Sequence, residues 1–166
     1  CYPVLGLPPR QGNRIMRFSP FNTYRTRDGW VAIGAATHAE WCELLEAMGR
    51  SDLGKDPDMM NLAWRIENNT VVDRIVGDWA AQFATRELVA LLVQRDVACS
   101  PVRTPEEVIA WPHLRARGMI DALRRPDGTP TEVAAPGFPF RFSRSSAAYA
   151  APAPVPGAHG GELLER

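Results

Sequence analysis

The sequence predicts an α+β fold in which a helical cluster packs on small antiparallel hairpins, with extended arms at both ends. Three observations lead there. Asp28-Gly29 and Asp127-Gly128 each separate short apolar-alternating segments, the signature of a hairpin. Between them, residues 38–111 carry apolar residues at helical spacing. The two ends are crowded with proline and glycine, which break regular elements. The expected organisation is an arm over residues 1–20, a small α+β domain over 21–135, and a strap with a short helix over 136–166.

Within the first arm, Pro9-Arg10-Gln11-Gly12-Asn13-Arg14 has chemistry suited to an anion. Gly12 lets the backbone approach a ligand, and Arg10 and Arg14 offer forked donors to phosphate or carboxylate oxygens. The same residues would equally serve as a solvated linker. Thr23 to Arg27 then alternates towards a tight turn at Asp28-Gly29, and Trp30 to Ile33 forms the returning strand. Thr37 and Glu40 make a capping box, Trp41, Leu44, Leu45 and Met48 line one helical face, and Gly49 ends the helix. His38 sits in the first turn, as a ligand contact or as ordinary polar surface.

Residues 50–58 form a surface connector; Asp52, Asp56 and Asp58 lack the alternation and closing glutamate of a calcium loop. One helix is expected from Met59 to Asn68 and a second over 71–84, with Val72, Ile75, Val76, Trp79 and Phe83 on its apolar face. Thr85 is expected to cap a third, striped by Leu88, Leu91 and Leu92. Val97 to Val102 is a short apolar segment ending in Ser-Pro-Val. Thr104-Pro-Glu-Glu107 starts a further helix that stops before Pro112. Met119 to Arg124 and Thr131 to Ala134 make the second hairpin, followed by an extended segment from Pro136 to Ser143 and an alanine- and proline-rich strap.

The chain has 166 residues, 45% hydrophobic and 23% charged, with zero net charge: one ordinary domain's worth of globular protein. No basic block argues for nucleic acid or an anionic membrane surface as a partner. No apolar run approaches the roughly 20 residues that span a bilayer, and a cytoplasmic location is the simplest expectation. Cys1, Cys42 and Cys99 lack the spacing of a metal site and are odd in number, so buried free thiols are expected. No Ser-His-Asp order, metal cluster or phosphate-binding glycine motif appears, and each aspartate except Asp121 has a turn, loop or helix-surface explanation. No residue is therefore assigned a catalytic role, and no metal is expected.

Thr26-Arg-Asp-Gly-Trp-Val-Ala-Ile33 with Glu40-Trp41 resembles the opening of the smaller domain of class III CoA-transferases, the CaiB/BaiF group that includes formyl-CoA and carnitine CoA-transferases and the α-methylacyl-CoA racemases. Four later segments extend the resemblance: Val97 to Val102, Leu114-Arg-Ala-Arg-Gly-Met119, Gly137 to Ser143, and Gly157-Ala-His-Gly-Gly-Glu-Leu-Leu164. In the last of these Gly160 replaces a helix-capping threonine, so a frayed final helix is expected. The resemblance covers only the later portion of the family's usual length.

The resemblance implies transfer of CoA between carboxylic acids through an acyl-enzyme made by an aspartate of a larger, preceding domain. On that reading this chain lacks the nucleophile, is inactive alone, and closes one side of the acyl-CoA cleft. Arg10, Gly12, Asn13, Arg14, Thr37 and His38 become candidate contacts to substrate, with CoA or acyl-CoA as substrate and no covalently bound cofactor. Thr37 stands where the racemases carry a glutamate base, which argues against racemisation. A non-catalytic module binding CoA esters or protein is the other alternative. The arms would wrap the missing domain or a second copy; without one, Phe138, Phe140 and Phe142 would be exposed and a dimer or larger assembly is expected.

Overall fold

In the computed structural model, described for residues 10, 12–125, 127–145, 154 and 156–164, the chain divides into two compact units that meet in sequence at Val102 and Arg103. The first unit is built on a three-stranded antiparallel sheet ordered β1 (Phe21–Arg25), β2 (Trp30–Gly34) and β3 (Ala98–Pro101). The pleat turns Tyr24, Val31 and Ile33 into the core, where each is buried. Phe21, Thr23, Ala32 and Ser100 take the opposite parity along their strands.

The first hairpin is looser than the Asp28-Gly29 dipeptide suggested. Arg25 pairs with Trp30, leaving a four-residue connection closed by the Thr26 amide donating to the Gly29 carbonyl at 3.0 Å. Positive φ is not what selects Gly29. A Cβ there would stand 3.1 Å from the Thr85 hydroxyl, so the glycine lets the turn sit against the start of a helix some 57 residues later in the chain.

Helix α1 (His38–Ala47) begins as the sequence indicated: Glu40 donates its amide to Thr37 Oγ1 at 3.2 Å, and Glu40 Oε2 accepts the Thr37 amide at 2.8 Å. It buries Trp41, Leu44 and Leu45 and ends where Gly49 takes φ +66°. After a short 3₁₀ turn at Leu53–Lys55, the single helix expected from Met59 to Asn68 is two: α2 (Pro57–Met60) and α3 (Leu62–Glu67). Asn61 divides them. Its backbone is extended, and its side-chain oxygen accepts from the Ala63 amide at 2.9 Å, so it caps a new helix instead of continuing the old one.

Helix α4 (Asn69–Ala80) buries Val72, Val76 and Ala80, with Ile75, Trp79 and Phe83 packed at the edge of the same core. It starts two residues before and ends four before the range expected. Helix α5 (Thr85–Val93) buries Leu88 and Leu92. Thr85 is not its cap. The preceding Ala84 has no side-chain oxygen, and Asp28 from the first hairpin supplies one, accepting from the Thr85 amide at 2.7 Å and hydroxyl at 2.8 Å. These contacts, the amide bond first, lower the Asp28 carboxyl from its ordinary value. Beyond α5 the chain turns at Asp96, φ +53°, and enters β3. That strand was not expected, because a four-residue segment containing proline carries little strand signal; Pro101 is tolerated because β3 is an edge strand.

The second unit opens with α6 (Pro105–Ala110), capped reciprocally by Thr104 and Glu107 as expected, and continues into α7 (Pro112–Ala116), with proline at its first position. The expected second hairpin follows, with β4 (Ile120–Arg124) paired to β5 (Pro130–Pro136) through an irregularity between Ala122 and Arg124. Gly137 then passes so close to the Gly118 carbonyl that any Cβ would collide with it. Arg141 Nη2 ties the following extended segment to the Arg117 carbonyl at 2.7 Å. A short α8 (Gly160–Leu164) lies near the end. Among the described residues of this unit no large apolar side chain is buried, and Leu123, Val133, Phe140 and Phe142 are all exposed. Of the expected alanine- and proline-rich strap, residues 147–153 and 155 lie outside the described residues.

Candidate functional site: a cleft on the three-stranded sheet

Two rungs of the first unit's sheet combine small side chains on the face away from the core. Thr23, Ala32 and Ser100 stand opposite one another in register, and Phe21, Gly34 and Ala98 form the next rung. Small residues on adjacent strands leave a trough, and the Phe21 ring lies over Gly34, where a Cβ would stand only 2.7 Å from a ring carbon. The resulting cleft has a volume of about 220 Å³ and also includes Asn13 in its lining. Asn13 Nδ2 donates to Thr23 Oγ1 at 2.8 Å.

The arm that brings Asn13 there is held by α4. Asp73, whose side chain is 11% exposed, accepts from Arg14 Nε at 2.7 Å and Asn22 Nδ2 at 2.9 Å on one oxygen, and from the Tyr24 hydroxyl at 2.7 Å on the other. Burial, then the hydrogen bond to Asp73, pushes the Tyr24 phenol far above its ordinary range. A second tie lies next to it in sequence. The Ser19 hydroxyl donates to Asn69 Oδ1 at 2.9 Å, and the Ser19 carbonyl accepts from Arg65 Nε at 2.9 Å. Arg65 is buried; its Nη1 also donates to the Met59 carbonyl at 2.7 Å, and its guanidinium lies over the Trp41 ring at 4.8 Å. Burial lowers its pKa.

Of the six residues singled out from the sequence, Asn13 reaches the cleft. Arg10 and Gly12 are exposed, Gly12 with φ +63°. Arg14 spends its guanidinium on Asp73, with Thr70 Oγ1 at 3.5 Å. Thr37 is the helix cap, and exposed His38 lies with Nε2 3.6 Å from Cys42 Sγ; neither lines the cleft. Cys42 and Cys99 are half-buried rather than fully buried. Cys99 Sγ lies 3.8 Å from the Val89 carbonyl, and burial raises its thiol pKa. Asp121, whose burial the sequence left open, is exposed.

Asp73, Asn22, Arg65 and the β3 lining residues escaped the sequence reading. One signal was available: Asn22 shares the inward parity of Tyr24, and a polar residue on the core side of a strand asks for a buried partner. The cleft lining offers two hydroxyls, two carboxamides, the Cys99 thiol and an apolar floor, but no carboxylate or imidazole. Such a surface can hold a narrow chain with an occasional polar group; the Cys99 thiol has no base among the lining residues and burial raises its pKa, so the cleft supplies neither an activated nucleophile nor a proton-transfer pair. Among the described residues no group of three or more His, Cys, Asp or Glu could hold a metal, and no helix is long and apolar enough to cross a membrane.

Residues 5–160 match the family model of CoA-transferase family III. The succinyl-CoA:mesaconate CoA-transferase of Haloarcula hispanica is 31% identical over 159 residues, covering 95% of this chain and 39% of that protein. The succinate–glutarate CoA-transferase of Agrobacterium fabrum is 26% identical, over 98% of this chain and 40% of its own length. A CAIB/BAIF family protein from Brucella suis superposes with a TM-score of 0.73 at 25% identity, over 99% of this chain and 42% of that one. The chain thus spans about two fifths of the length of these relatives.

Proposed function

The chain belongs to CoA-transferase family III, and from that premise we propose that it is the smaller-domain portion of an enzyme that moves CoA between carboxylic acids. One observation carries the reading: the similarity runs through nearly the whole chain while spanning only 39% of the Haloarcula relative. In this reading the aspartate nucleophile comes from polypeptide outside these 166 residues, and the chain alone does not catalyse transfer. The sheet cleft and the arm residues Asn13 and Arg10 form one wall for the acyl-CoA, which is substrate and not a resident cofactor.

The relatives' names support a narrower version, with succinyl-CoA as donor and a short dicarboxylic acid as acceptor. The exposed Phe140 and Phe142, in a unit whose described residues bury no large apolar side chain, favour coverage by a further domain or a second copy.

Amide chemical shifts of the labelled chain, followed during titration with CoA and succinyl-CoA, test the cleft assignment. Perturbations should centre on Asn13, Thr23 and Ser100. Their absence at millimolar ligand, or their concentration away from β1 and β3, would remove the cleft from the acyl-CoA site.

A further inference from the structure

A reactive grouping lies outside the cleft, at the start of α1. Cys42 follows His38 by four residues, so the two side chains share one helix face, and Cys42 Sγ comes within 3.6 Å of His38 Nε2. His38 is exposed and Cys42 is half-buried, so a small solute can reach the pair. Cys99 provides a contrast within the same unit: its sulfur faces a backbone carbonyl, not a base.

We propose that Cys42 and His38 form a thiol–imidazole pair that takes up low-molecular-weight disulfides, making Cys42 a site of S-thiolation. The Cys42 proton passes to His38 Nε2, and the thiolate attacks one sulfur of the disulfide. That S–S bond breaks as the protein–ligand S–S bond forms, and the departing thiolate takes a proton from His38 or water. The disulfide is the only co-reactant, and no net electron source is needed. This assignment is independent of the CoA-transferase reading, because it uses no cleft residue and no acyl group.

The test exposes the full chain to glutathione disulfide at one fixed near-neutral pH, quenches with N-ethylmaleimide, and maps tryptic peptides. The three cysteines fall in separate peptides, 1–10, 28–50 and 96–103. Cys42 should form the mixed disulfide about tenfold faster than Cys99. His38→Gln should slow Cys42 by about tenfold while leaving Cys99 unchanged. In chain unfolded by guanidinium the advantage of Cys42 and the effect of His38→Gln should both vanish. Equal rates at Cys42 and Cys99 in the folded chain, indifference to His38→Gln, or an advantage that survives unfolding would each overturn the proposal.

Discussion

Replacing Asp73 with asparagine removes one charge and one acceptor from the centre of the first unit while keeping its volume. Three donors converge on the carboxylate: Arg14 Nε at 2.7 Å, Asn22 Nδ2 at 2.9 Å and the Tyr24 hydroxyl at 2.7 Å. An asparagine oxygen can replace only one carboxylate oxygen, and its NH₂ must face whichever donor occupied the other. Hydrogen bonds to a charged group contribute about 1.5–3 kcal/mol each, against about 1 kcal/mol for neutral pairs. Asp73 is 11% exposed, so little water can substitute. Arg14 is 33% exposed, so its ion pair adds under about 1 kcal/mol. Asp73→Asn should therefore cost about 3 kcal/mol, whereas Arg14→Ala should cost under about 1 kcal/mol. Urea unfolding followed by tryptophan fluorescence reports this unit, which holds Trp30, Trp41, Trp64 and Trp79. At about 2–4 °C per kcal/mol the same loss appears as a fall in Tm of about 6–12 °C. If Asp73→Asn costs no more than Arg14→Ala, the carboxylate is not the hub that anchors the arm.

Tyr24, Gly77 and Asp28 each carry a further expected outcome. Tyr24 ionises last of the three tyrosines: its folded pKa is raised above the unfolded value of 10.0, so its contribution to stability is full below pH 10 and is lost as pH rises further. Absorbance at ~295 nm should show Tyr24 titrating only together with alkaline unfolding, and a normal titration of all three would contradict its burial. Gly77→Ala should stabilise α4 by about 0.5–1 kcal/mol, because a Cβ there meets the Tyr24 ring at 3.6 Å, an ordinary contact; a lower Tm would refute that spacing. Asp28 has a lowered pKa, so its capping of α5 contributes above the unfolded carboxyl value and is lost as pH falls through the folded one. Asp28→Ala should therefore lower Tm at neutral pH and flatten its acid dependence, and an unchanged melt would deny the cap.

Local chemistry made the helix ends and hairpins readable. The reciprocal Thr37–Glu40 and Thr104–Glu107 caps and the left-handed Gly49 each depend on residues within a few positions of one another, and each lies where the sequence put it. What depended on distant partners was not readable. Asp28 looks like a turn residue until α5 arrives 57 positions later to use its carboxylate. Arg14 looks like a phosphate ligand until Asp73, 59 residues on, claims it. Residues 98–101 carry too weak a pattern to announce a strand and become one because β2 has a free edge for them. The cleft was partly legible for the same reason: Asn13 stood out in its motif, whereas the trough exists only after β1, β2 and β3 align their small residues.

The claim that this chain is one part of a CoA-transferase is tested most directly by incubating the purified 166-residue chain with succinyl-CoA and mesaconate and resolving the thioesters by chromatography and mass. The account predicts no mesaconyl-CoA and no acylated protein from the chain alone. Turnover with a covalent acyl group on one of its own aspartates would contradict it, because the complete active site would then lie within these residues.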